Sequence, residues 1–169
     1  YARGQERGNQ PDVVTKVGDS LMASHIYLNP INLDDHQLHP YDYLADVVDY
    51  YRAPEESVAA QIGLSSFAVF DSMWADQARC DSGETPLACE LRLTRPVTAM
   101  IMFGPNDVRA MNNNTYEAEM RRIVETVLDH DVIPVLFTFS VHPDDEFWWQ
   151  SLNFNLILSE LAAEYDVPV

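Results

Sequence analysis

Apolar and polar positions follow two rhythms along this chain, one of short unbroken runs and one of helical spacing. Residues 13–17 (VVTKV) are mostly β-branched and meet Gly18 at once, the pattern of a strand that ends in a tight turn. Residues 97–103 (VTAMIMF), closed by Gly104-Pro105, predict a central strand buried on both faces. A third run, 132–139 (VIPVLFTF), predicts another strand, residues 57–62 a short one, and Val167 the opening of a last. Helical spacing joins Met120, Ile123, Val124, Val127 and Leu128, preceded by Asn114 and Glu117 at the separation of a capping box. Leu152, Leu156, Ile157 and Leu161 predict a long amphipathic helix over 147–165, and Phe67, Val69, Phe70, Met73 and Trp74 a buried helix face.

Strands that alternate with helices at this spacing predict an α/β fold, a flavodoxin-like three-layer α/β/α sandwich around a parallel sheet. Ligands of such sheets bind beyond the carboxyl ends of the strands. Residues 21–56 break the rhythm. Rich in Asp, His, Tyr, Asn and Pro, they read as an irregular insert with one helix around Leu44, Val47, Val48 and Tyr51.

The chain has 169 residues, 47% of them hydrophobic, which suits one domain spanning 1–169. Ten Lys and Arg against 27 Asp and Glu give a net charge of −17, so nucleic acid and acidic membrane surfaces are repelled. No apolar run reaches the roughly 20 residues of a membrane span. Cys80 and Cys89 enclose eight residues that include Gly83 and Pro86, and read either as a local disulfide of a secreted or cell-surface protein or as two thiols. The start at Tyr1 and the end at a strand opening lead us to expect that both ends are cut.

Gly18-Asp19-Ser20-Leu21 follows the first predicted strand and presents a serine hydroxyl at the edge where the crevice is expected. Gly104-Pro105-Asn106-Asp107 follows the most apolar strand and should lie at the same edge, where an asparagine amide can donate to a developing oxyanion. Each alone is an ordinary turn. Together they resemble the blocks of the SGNH/GDSL hydrolases over about residues 13–169. The resemblance implies an SGNH fold and an ester-cleaving serine, with Ser20 as nucleophile and the N–H of Ser20, the N–H of Gly63 and the Asn106 amide as oxyanion hole. Gly63 is the candidate because it follows a short strand and precedes a helix. Asp19, Asp107 and His142 are the candidate substrate-side residues, the substrate being a small-molecule or glycan ester, with no cofactor and no metal.

One block departs from the resemblance. The family's Asp-x-x-His, which supplies the base and its orienting acid, occurs nowhere: His25, His36, His39, His130 and His142 have Met22, Leu33, His36, Val127 and Phe139 three residues earlier. The chain is therefore expected to be C-terminally incomplete, lacking the last strand and that block. His142, in the loop after the 132–139 run with Asp144 and Asp145 nearby, is the alternative base by topology. Asp34-Asp35-His36 with His39 has a composition that suits a divalent metal but reads equally as a polar flap. Phe147, Trp148 and Trp149 read as a sugar-stacking wall or as core. The competing functional readings are an inactive binding or structural module on the same fold and an unrelated flavodoxin-like domain.

Overall fold

The computed structural model describes residues 1–27, 38–53 and 56–169. Three parallel strands, β1 (Gln10–Gly18), β2 (Pro96–Met102) and β3 (Ile133–Leu136), lie in the order β1-β2-β3. Helix α1 is Ala2–Glu6, α2 is Ser20–Ala23, α3 is Ala45–Tyr50, α4 is Pro86–Thr94, α5 is Asn113–Asp129 and α6 is Trp148–Tyr165. The alternating α/β order and the parallel sheet are as the sequence predicts.

Helix α4 starts on a proline behind Thr85, whose hydroxyl accepts the Ala88 N–H, and it carries the Cys80–Cys89 disulfide. Helix α5 is capped by Asn112, which accepts the Thr115 N–H, and not by the Asn114 and Glu117 box. Its apolar stripe, Tyr116, Met120, Ile123, Val124 and Val127, is buried. The Tyr116 ring stacks on Phe154 of α6 at 3.8 Å, and its hydroxyl donates to the Phe103 carbonyl at 2.8 Å. That bond satisfies the one polar group the stacked pair takes into the core.

Four expectations need correction. Residues 57–62 form no strand; Ala60 makes a single parallel bridge to Gly18. Residues 67–74 form two 3-10 turns, Ala68–Phe70 and Ser72–Trp74, and not a helix with one buried face. Asp71 between them is extended, φ −97° and ψ 115°, so the two turns face differently: Val69 is buried while Met73 is 88% exposed. On α6 the buried stripe is Phe154, Ile157, Leu158 and Leu161, which leaves Leu152 and Leu156 outside. β2 is fully buried on one face only, since Thr98 and Met100 are half-buried.

The expected insert contains a 3-10 turn, Asp42–Leu44, that runs into α3. After α6 the chain returns to the sheet, where the Leu136 N–H donates to the Pro168 carbonyl at 2.9 Å on the outer edge of β3.

Candidate active site

Each of the two glycine-led turns at the carboxyl ends of β1 and β2 is packed tightly against a neighbouring segment. A Cβ on Gly18 would stand 2.3 Å from the Met102 carbonyl oxygen, and one on Gly104 would stand 2.0 Å from the Phe139 ring. Only glycine lets the turns close this tightly. Gly18 also donates its N–H to the Ala59 carbonyl at 2.9 Å and accepts the Gln61 N–H at 3.1 Å, which ties the segment before Gly63 to the first turn.

Ser20 is the first residue of α2 and is exposed, and among the described residues its hydroxyl makes no hydrogen bond. As a first-turn residue its N–H has no acceptor within the helix. Asp19 caps α2 by accepting the Leu21 N–H at 2.9 Å and is buried.

Asn106 donates from Nδ2 to the Leu64 carbonyl at 2.8 Å, which fixes its amide beside the Gly63 turn and leaves its second N–H unspent. Gly63 is exposed at φ 84°, a left-handed conformation that glycine takes without strain. Asp107 turns inward from Asn106, and its Oδ1 accepts both the N–H and the hydroxyl of Ser66, each at 2.9 Å. The turns bearing Ser20, Gly63 and Asn106 are thus tied to one another by Gly18, Asn106 and Asp107.

Burial raises the carboxyl pKa of both Asp19 and Asp107, and the Asp19 charge adds to the rise at Asp107. One oxygen on each, Oδ2, has no partner. Two buried carboxyls beneath one site favour the protonated form of at least one of them.

The sequence reading missed Ser66, Leu64 and Glu90. Glu90 lies fully buried on α4, accepts the Thr15 hydroxyl from β1 and takes the Val58 N–H at 2.8 Å. It thereby anchors the segment that leads to Gly63. A charged residue amid the apolar positions of α4 was its one signal.

His142 is exposed and its Nδ1 accepts the Asp144 N–H at 3.3 Å; no hydrogen bond joins it to Ser20 or Asn106. Asp34, Asp35 and His36 lie outside the described residues, and His39 pairs with Asp42 at 3.1 Å. Trp148 and Trp149 are exposed and meet edge to face at 5.3 Å.

The fold is similar to that of solved GDSL-type lipases and esterases, the fold the paired motifs anticipate. Comparison of the sequence with protein-family models finds no match, and comparison with curated proteins finds none. Solved structures do match. A GDSL-like lipase from Bacteroides thetaiotaomicron aligns over 99% of this chain and 73% of its own, at 13% identity and TM-score 0.58. An acetyl xylan esterase, AlAXEase, aligns over 92% and 75% at 13% identity and TM-score 0.59. The esterase EstA from Pseudoalteromonas sp., solved with monoethylphosphonate as inhibitor, aligns over 93% and 75% at 16% identity and TM-score 0.57. No described helix is long and apolar enough to cross a membrane.

Proposed function

We propose that this chain carries the nucleophile and oxyanion hole of a serine esterase acting on a small-molecule or glycan ester. The observation that supports the reading is the Asn106 Nδ2 to Leu64 carbonyl hydrogen bond, which leaves one amide N–H of Asn106 unspent next to the segment of Gly63, while the Ser20 hydroxyl is unbonded among the described residues. Ser20 Oγ attacks the ester carbonyl and gives its proton to a base. The carbonyl oxygen, now negative, is received by the N–H groups of Ser20 and Gly63 and by the Asn106 amide. Collapse expels the alcohol, which takes the proton, and water then releases the acid from Ser20 by the reverse sequence.

Neighbours described as a lipase and as esterases agree with that chemistry. The Cys80–Cys89 disulfide agrees with a secreted or surface protein, because such bonds persist in oxidising compartments. The base is the open component, since among the described residues no histidine is hydrogen-bonded to Ser20. The net charge of −17 goes with a second reading, a fold kept for binding without turnover.

Aryl-ester hydrolysis by the natural protein separates the two. Ser20→Ala is expected to abolish turnover without loss of thermal stability, and Asn106→Ala to lower kcat by about 100- to 1,000-fold. Full activity in Ser20→Ala overturns the esterase reading, and so does a folded wild type that turns over no ester.

A further inference from the structure

The amino ends of the three strands, opposite the Ser20 edge, enclose a cavity of about 220 Å³. Arg7 precedes β1, Arg92 and Arg95 belong to α4 and its cap, His130 closes α5, and Leu91 and Val132 complete the wall. Three of the ten cationic side chains of a protein with net charge −17 therefore line one concavity.

Their donors are only partly used. Arg7 spends Nε on the Asp131 carboxylate at 2.9 Å and Nη1 on the Asp129 carbonyl at 2.8 Å. Arg92 spends Nε and Nη2 on Glu84 at 2.8 and 2.7 Å. One Nη of each arginine is left. The Arg95 guanidinium makes no hydrogen bond or ion pair among the described residues. Cations near helix C-termini also answer the helix dipole. The carbonyls at this edge already have donors, however: Asn9 Nδ2 serves those of His130 and Asp131 at 3.1 Å each, and Gln10 Nε2 serves that of Thr94 at 3.0 Å.

The backbone points the same way. Arg95 caps α4 in the left-handed conformation, φ 44°, where glycine is the usual residue and an arginine is strained. Across from it, a Cβ on Gly8 would come within 3.3 Å of Arg95 Nη1, so the guanidinium passes close over a bare backbone. The left-handed cap and the bare backbone of Gly8 together leave room for the Arg95 guanidinium at the cavity wall.

We propose that this cavity binds the phosphate group of a small phosphomonoester. The Arg95 guanidinium and the unused Nη groups of Arg7 and Arg92 hold the oxygens, and the carrying group lies against Leu91 and Val132. Donors arriving from three separate arginines suit a tetrahedral oxyanion better than a planar carboxylate.

Calorimetric titration with inorganic phosphate and with phenyl phosphate tests this, at a constant ionic strength set by sodium chloride so that the protein's own negative field is screened. Wild type is expected to bind both, phenyl phosphate the tighter. Arg95→Asn, which tolerates the left-handed backbone, is expected to weaken both at least about tenfold while leaving the unliganded melting temperature unchanged. Arg95→Gly, the residue that conformation prefers, serves as the second variant and should do the same. Absence of binding heat in wild type, or equal affinity in a folded Arg95 variant, overturns the proposal. Binding of phosphate alone, with no gain from the phenyl group, overturns the phosphomonoester assignment.

Discussion

The two faces of the same three strands are buried to very different degrees. Thr15 and Val17 of β1, Ala99 and Ile101 of β2, and Pro134 and Leu136 of β3 share one face and are all buried. On the other face Val14 and Lys16 are buried, but their neighbours Thr98, Met100, Ile133 and Val135 are only half-buried. Helix α4 packs on β1, α5 packs on β3, and α5 packs on α6. The continuous apolar run of β2 says that both faces avoid water, not that both are equally covered.

The sharpest way to break this comparison is a matched pair of substitutions on β2. Ile101→Ala, on the covered face, should cost about 2 to 5 kcal/mol in denaturant unfolding because the cavity it leaves cannot collapse. Met100→Ala, one residue away and half-buried, should cost about 1 kcal/mol. Equal losses would mean that the two faces are packed alike in solution.

A smaller effect concerns the carboxyl end of the sheet. Burial raises the pKa of Asp19 and Asp107 above the ordinary carboxylate value of 3.8, so the folded chain holds protons that the unfolded chain has released. The unfolded state then binds fewer protons, and the stability contributed by these groups is fully present below about pH 4 and lost as pH rises through their folded pKa values. Asp107→Asn keeps an acceptor for Ser66 and removes one titrating group. Its urea midpoint should fall less than that of wild type between about pH 4 and pH 7. An unchanged slope would show that Asp107 does not contribute to this dependence.

The smallest effects belong at the exposed ion pairs. Arg3 and Arg7 share the Asp131 carboxylate at 2.9 Å each, both from well-exposed positions. Arg3→Ala should change stability by about 1 kcal/mol or less in a thermal melt. A larger loss would mean that this edge is held more tightly than its exposure suggests.

Much of the fold was legible where a pattern ran long enough to have a period. The stripe of α5 and the apolar run of β2 each specify an element regardless of what packs against it. Residues 67–74 match a helical template by spacing, but the extended Asp71 splits them into two short 3-10 turns that do not share a face, a break that spacing alone does not reveal. The site divides in the same way. Gly18 and Gly104 are forced by contacts within 2.3 Å, and Asn106 follows Gly104 by two residues, so the two motifs carried their own location. Glu90 did not, since its partners Thr15 and Val58 lie 75 and 32 residues away and no local pattern encodes such a pairing. The role of Asp19 and Asp107 beneath the site was hidden for a related reason: a motif gives the residue but not the direction of its side chain.

The central claim is that Ser20, at the end of β1, is a nucleophile served by the amide of Asn106. Treating the natural protein with a fluorophosphonate and locating the adduct by peptide mass spectrometry tests it most directly. A single phosphonyl group on the peptide carrying Ser20, absent from Ser20→Ala and slowed in Asn106→Ala, is the predicted result. An adduct on another residue, or none on a folded protein, would contradict it.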